Sequence, residues 1–375
     1  MRAKILQIVI VLVFILVCST CSTKTVRQSS DIETEIIDFS SFKRIETDNI
    51  PERIIKNASF VKLDYSSEDI LFREIDILKI VDNRIFILDI RLRKLVVFDS
   101  TGTGLGKVGN QGQGPEEYLR IHDFCVSDEG DIYLRDGTRN NVKLYSFDKD
   151  FRFVSAKPLP FSVNHVHKLV NDKFIFALHS WNKGNNASTQ IVITDEEFNT
   201  EKSFLQFDEN IDENMVIGTS TFASSADRIL YHKSINNFVY EFSNEGEPLK
   251  TYFFDFGNKD VPNNDRKDIE GNWENFKLYS CIRNIALIND KYIAGTLFDE
   301  RIPKPFIVDR IENCIYIFYN EEKGVQNGML WCYENSFILP IHSGMYEDIQ
   351  STNLPHDVKE HLENEGVTLC LYELK

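Results

Sequence analysis

The chain has little that announces chemistry. It carries no Gly-x-Ser-x-Gly, no His-Glu-x-x-His and no phosphate-binding loop, so the hydrolase and nucleotidase classes built on those groupings lack their nucleophile, metal ligands or phosphate cradle. Cysteine is scarce. The five that follow residue 21 (Cys125, Cys281, Cys314, Cys332 and Cys370) are odd in number, widely spaced and contain no C-x-x-C pair, which argues against a disulfide framework or zinc site and for free buried thiols. Long helical periodicity is missing, and only Asp357 to Glu365 reads as a short helix. Positive charge is in deficit, with 42 Lys and Arg against 58 Asp and Glu and a formal net charge of −16, which argues against polyanion partners, and no nucleic acid is expected. What the chain does have is aromatic and apolar bulk: 28 Phe, 14 Tyr and 42% hydrophobic residues supply a large core and favour strands over helices.

The first residues stand aside from that core. Arg2 and Lys4 precede Ile5 to Val17, a 13-residue apolar run broken only by Gln7, too short to span a bilayer and suited to the core of a signal peptide. The run ends in Cys18-Ser19-Thr20-Cys21-Ser22, which resembles the lipobox of bacterial lipoproteins. Cys21, behind small Ser19 and Thr20, fits the acylated position better than Cys18 behind Val17. The expectation is a signal peptide over residues 1–20, a polar lipid-anchored tether over 21–35 and a folded unit over 36–375. Location follows as the cell envelope, an outer-membrane lipoprotein facing periplasm or surface, with the membrane as partner through the lipid.

Within the folded unit a single pattern returns. Arg84 to Asp89 with Lys94 to Asp99, and Asp131 to Asp136 with Lys143 to Asp148, are pairs of apolar strands that superpose at an offset of 47. Weaker copies follow, and the markers Phe86, Tyr133, Ile175, Leu230, Ile293 and Ile338 are separated by 47, 42, 55, 63 and 45 residues. A period of about fifty residues is that of a four-stranded propeller blade. Turn residues agree: Ser-Thr-Gly at 100–102, Asp-Glu-Gly at 128–130 and Asn-Glu-Gly at 244–246 separate apolar runs where hairpins need positive φ. A lone four-stranded sheet cannot bury both faces, so the reading is an all-β fold, a six-bladed β-propeller of four-stranded antiparallel blades. Ala58 to Leu63 and Gly366 to Leu374 both have strand character, and either could close the ring.

The segment Gly106-Lys-Val-Gly109-Asn-Gln-Gly112-Gln-Gly114-Pro115-Glu116-Glu117-Tyr118, followed by Asp123-Phe-Cys-Val and by Gly130-Asp-Ile-Tyr133-Leu-Arg-Asp136, looks like the signature of NHL-type repeats. More closely it resembles a family of six-bladed β-propeller lipoproteins of Gram-negative gut-type bacteria, over about residues 36–375. The resemblance implies fold and envelope location, and carries over no catalytic residues.

Candidate sites are therefore chosen by placement. Gly104-x-Gly106-x-x-Gly109 matches a dinucleotide fingerprint in letters only, because Gly112, Gly114 and Pro115 forbid the helix that would hold the pyrophosphate. The same loop offers Gln113, Glu116 and Tyr118 as ligand contacts. Arg135, Asp136 and Arg139 after one blade's second strand, with Tyr279 and Arg283 at the start of another, are candidates for a channel-mouth pocket. Trp273 ends an Asn- and Asp-rich insertion, Gly257 to Phe276, and would suit a sugar or peptide surface. His165-x-His167 sits on one side of a strand without a third metal ligand and reads as solvated histidines, and the acidic run from Asp208 to Asn214 lacks the Gly and Glu of a calcium loop. No metal or cofactor is expected. The function expected is a binding or interaction module for a glycan, peptide or protein ligand, more binder than enzyme; the alternative is a metal-dependent propeller hydrolase or lyase with its site in the central channel.

Overall fold

The computed structural model describes residues 32–47, 50–138, 141–207, 222–225, 227–233, 235–318, 331–343 and 354–375. The expected signal peptide, the lipidated Cys21 and most of the tether lie outside the described residues. No helix among the described residues is long and apolar enough to cross a membrane.

The chain is a six-bladed β-propeller, and its strands number from the N-terminus as β1 (Thr34–Asp38), β2 (Lys43–Thr47) and β3 (Ile55–Leu63), then blade by blade. Blade one holds β4 (Ile77–Val81), β5 (Arg84–Asp89), β6 (Lys94–Asp99) and β7 (Gly104–Lys107); blade two holds β8 (Ile121–Val126), β9 (Ile132–Thr138), β10 (Asn141–Phe147) and β11 (Phe153–Pro158). Blade three is β12 (Val163–Lys168), β13 (Phe174–Leu178), β14 (Thr189–Thr194) and β15 (Thr200–Gln206), and blade four is β16 (Phe222–Ser225), β17 (Arg228–His232), β18 (Phe238–Ser243) and β19 (Pro248–Asp255). Blade five is β20 (Ser280–Ile288), β21 (Tyr292–Asp299), β22 (Ile302–Asp309) and β23 (Cys314–Phe318); blade six is β24 (Trp331–Tyr333), β25 (Ser336–His342) and β26 (Val367–Leu374) with β3 as its outer strand. All six sequence markers fall on the second strand of their blades, so the irregular intervals measure loops and not a change of unit.

The second strand of a blade buries both faces. Along β5, Phe86 and Leu88 join the core shared with blade two, while Ile85 and Ile87 join the core shared with blade six. The same division by odd and even residues produces a hydrophobic layer between every pair of neighbouring blades. At about 25 cal/mol per Å² of apolar surface, these layers are the main stabilising term. Four cysteines are buried in or beside them, Cys332 is half-buried, and all five are free thiols.

Tight turns set the blade edges. Gly102, Gly130 and Gly246 have φ of 89°, 91° and 81°, as the turn chemistry predicts, and Asp82-Asn83 makes the two-residue hairpin of blade one with φ of 48° and 58°. Gly102 also admits no side chain: an added Cβ would stand 2.0 Å from the carbonyl oxygen of Lys62 on β3.

Both chain ends close the ring, and they do so on each other. β3 pairs antiparallel with β26 through a ladder running from Leu63 opposite Val367 to Ile55 opposite Leu374. Before reaching that place the N-terminal segment adds a fifth, parallel strand to two other blades, β1 on β19 and β2 on β23. Glu35 on β1 bridges Lys250 of blade four and Arg310 of blade five, which ties the strap across two blades. The strand begins at Thr34, so the fold starts two residues before the border expected at 36. A short α1 (Asn263–Lys267) lies in the insertion between blades four and five, and α2 (His356–Glu363) covers blade six through Val358 and Leu362.

Candidate functional site

Every blade sends its first strand along the central axis, and the two ends of that channel differ. At one end the chain turns from first to second strand through hairpins; we call it the turn face. At the other the chain enters each first strand and leaves each second strand. This entry face receives the glycine-rich loop of residues 108–120, the insertion of residues 256–279 and the helix α2 connection, while the turn face has short hairpins.

A cavity of about 370 Å³ occupies the channel on the turn-face side and touches first strands of all six blades. Its rim carries the exposed carboxylates of Asp82, Asp128, Glu129, Asp172 and Glu334. Inside, the Lys79 ammonium donates to the carbonyl of Phe124 at 2.6 Å and lies 5.0 Å from the centre of the Phe124 ring, so it serves to join blades one and two. Trp331 brings a buried indole N–H without a hydrogen-bond partner to the same wall. His167 lines the cavity too, with burial pushing its imidazole down to about 3, which keeps it neutral at pH 7. The histidines of His165-x-His167 are thus not solvated side chains: His167 is a wall residue of the cavity, and His165 is 5% exposed.

The entry-face end is built on β-bulges. In blade two the register of β8 on β9 shifts between Ile121 and Asp123, in blade three that of β12 shifts between Val163 and His165, and in blade five that of β20 shifts between Ile282 and Asn284. The extra residues, His122, Asn164 and Arg283, are all half-buried; each is preceded by a fully buried aliphatic and followed by a buried polar residue. A bulge re-aims a side chain, and here the same device recurs at the same depth of the ring.

Between blades two and three this produces a polar cluster. Asp123 is buried, accepts the backbone N–H of Val166 at 2.8 Å and stands 3.4 Å from Nδ1 of His165. Burial raises its pKa, but His165, Lys79 and the Val166 N–H outweigh that and hold the carboxyl below its ordinary value. Arg135, 4% exposed, donates to the carbonyl of Val163 at 2.5 Å, and burial lowers its guanidinium to about 10. His179 stacks on Trp181 with ring centres 4.0 Å apart and planes 13° from parallel. Burial, then the neighbouring Arg135, His165, Lys233 and His122, push His179 down to about 3. Two buried nitrogens of the cluster, Nε2 of His122 and Nε of Arg135, have no hydrogen-bond partner, while Nδ1 of His165 faces the Asp123 carboxylate. Buried donors left open are uncommon in folded proteins and accumulate at functional sites.

The sequence-chosen residues fall mainly on this face, with different duties. Asp136 accepts the backbone N–H groups of Leu119 and Arg120 at 3.2 and 2.6 Å, so it clamps the incoming loop. Asp89, one repeat earlier, does the same for Arg73 and Glu74, which explains why the two acids superpose at an offset of 47. Tyr118 is 2% exposed in the core between blades one and two, packed over Gly109, and is a loop anchor instead of a ligand contact. Gln113 and Glu116 are exposed on the loop; the unselected Glu117 shapes it by accepting the N–H of Gly114 at 2.9 Å. Trp273 is packed between Phe276, Phe298 and the Arg301 guanidinium, and Tyr279 donates to Asp265 at 2.7 Å, so both hold the insertion together. Arg283 is a bulge residue whose guanidinium is lowered by burial. Arg139 and the acidic run from Asp208 to Asn214 lie outside the described residues. Trp181, which sequence reading passed over, is 40% exposed and donates one hydrogen bond, from Nε1 to Ser162 Oγ at 2.9 Å, while the next residue, Asn182, accepts the N–H of Ser162 and donates to its carbonyl. Its only sequence signal was a lone Trp-Asn pair in a polar loop.

Among the described residues no group of three or more His, Cys, Asp or Glu is placed to hold a metal ion.

Solved structures share the architecture. A Bacteroides fragilis protein provisionally described as exported is 17% identical, with a TM-score of 0.72 over 91% of this chain and 99% of that one. A Bacteroides vulgatus member of the DUF4221 family is 8% identical with a TM-score of 0.50, covering 86% of this chain and 97% of its own. At these identities the likeness is one of fold. Comparison with curated proteins finds no match. Residues 35–366 match the model of a domain of unknown function, DUF4934, and the chain belongs to that family.

Proposed function

We propose that this chain is an exported, lipid-anchored propeller that binds a glycan, peptide or protein ligand with its entry face and performs no chemistry on it. The observation that carries this reading is the pair of open nitrogens at the entry-face mouth, on His122 and Arg135, set beside the bulged strands and the face's long loops. A rigid ring that displays long loops and convergent polar groups on one side suits recognition. The cavity at the other end is the weaker candidate, since both of its lysines are already engaged, Lys79 with Phe124 and Lys168 with Asp172 and the rings of Tyr133 and Phe174. The leader and Cys21 support anchoring in the envelope, and the glycine-rich loop with its Asp clamp fits an NHL-like repeat.

A glycan and peptide array probed with the full chain in detergent tests the reading. Ligands retained by wild type and lost by Arg135→Met, with Lys202→Ser on outer strand β15 unaffected, are expected; equal retention by all three contradicts it. For the anchor, radiolabelled palmitate should enter the wild-type protein expressed in a Gram-negative host and not Cys21→Ser.

A further inference from the structure

We propose that the entry-face mouth between blades two and three is a subsite for an acidic sugar, its ring laid on Trp181 and its carboxylate received by His122 and His179 above Arg135. The inference rests on the binding reading and adds the class of ligand.

Two independent observations meet here. The first is a platform. The indole N–H of Trp181 is engaged by Ser162, and one ring face is covered by His179. The side chain cannot turn away and still leaves 40% of its surface to solvent. What such a residue presents is a flat, rigid apolar face, which suits the C–H face of a pyranose. The second is charge. In a chain of net charge −16, His179 has Arg135, His165, Lys233 and His122 as neighbours, and both carboxylates of the cluster are engaged, Asp136 by two backbone N–H groups and Asp123 by His165 and the Val166 N–H. In the same cluster Nε2 of His122 and Nε of Arg135 are buried without a hydrogen-bond partner. A neutral sugar would leave that field unanswered; an anion without a ring would leave the indole bare.

Calorimetric titration of the full chain in detergent at pH 6 with trigalacturonate, its fully methyl-esterified form, adenosine monophosphate and inorganic phosphate tests this. Trigalacturonate should bind at least tenfold more tightly than its neutral ester and than either phosphate compound. Trp181→Ala should weaken it at least tenfold, and Trp181→Phe, which keeps a ring on His179, should stay within about threefold. Equal binding of acid and ester, preference for the nucleotide, or indifference to Trp181→Ala overturns the inference. If the array yields a peptide ligand sensitive to Arg135→Met while trigalacturonate does not bind, the acidic-sugar inference fails and the binding reading stands. If nothing binds in either experiment, both fail.

Discussion

Two buried charged clusters sit near the entry face on opposite sides of the ring, and they differ in how completely they are satisfied. On blade five, Asp299 is fully buried and its two oxygens take Ser280, Lys304 at 2.8 Å and Arg44 from the N-terminal strap at 2.9 Å. Around Arg135 on blade two, by contrast, one carbonyl is bonded and two nitrogens of the cluster, on Arg135 and His122, stay open. The first arrangement is that of a structural lock, which holds strand β2 against the ring. The second has capacity left over, and capacity kept in a buried place calls for a partner that is not part of the chain.

The sharpest way to break the comparison is to empty the lock. Asp299→Ala would remove the carboxylate that Ser280, Lys304 and Arg44 all bond in a buried place, and should cost about 3–5 kcal/mol in guanidinium unfolding. A cost near zero would mean that the cluster does not pin the strap. Gly102→Ala probes the same closure from blade one. Its Cβ would strike the Lys62 carbonyl from a backbone at φ 89°, and the loss should be about 3 kcal/mol in the same assay.

Acid should separate the two clusters by pH. His179 is depressed to about 3 from 6.5, so the unfolded chain takes up a proton that the folded one refuses. Its stability is full above pH 6.5 and falls as pH drops through the window from 6.5 to 3, by about 1 kcal/mol at pH 5 once its partial exposure is discounted. His179→Phe should flatten that region of the profile. Asp299 behaves in the opposite sense of charge: burial raises its pKa, yet Lys304, Ser280 and Arg44 hold it well below the usual carboxylate range, so its contribution is complete above the unfolded value of 3.8 and is lost only below it. Unfolding curves at pH 7, 5 and 3.5 distinguish the two losses.

The smallest effect is the most telling about function. Arg135→Met removes a guanidinium whose burial is offset by a single good hydrogen bond, so stability should change by no more than about 1.5 kcal/mol. A loss as large as that of Asp299→Ala would make the Arg135 cluster a second lock and remove the contrast.

The fold was legible because it is periodic. Phe86, Tyr133, Ile175, Leu230, Ile293 and Ile338 mark the same strand of successive blades, since a strand buried on both faces carries apolar residues through its middle, and that run survives variation in the loops. The parallel additions of β1 and β2 were hidden. Residues such as Lys43 to Thr47 are half-exposed and polar, so their pairing is fixed by ion pairs with distant residues, Arg44 with Asp299 above all. The candidate site was half legible. Arg135 and Asp136 drew notice as charges at a strand end, yet only the bulges tell them apart, and a bulge arises from a register between two strands that no local motif records. Trp273 and Trp181 show the same limit: both lie in polar loops, and whether an indole is packed or presented is decided by Phe298 and Arg301 in one case and by Ser162 and Asn182 in the other.

The central claim, that the Arg135 cluster is completed by an anionic ligand, is tested most directly by following the His179 ring by nuclear magnetic resonance through a pH titration, with and without saturating trigalacturonate. A carboxylate placed beside the ring favours its charged form, so the account predicts that His179, near 3 in the free protein, titrates at least one unit higher in the complex. An unchanged titration in a chain shown to hold the ligand would place that ligand elsewhere and contradict the account.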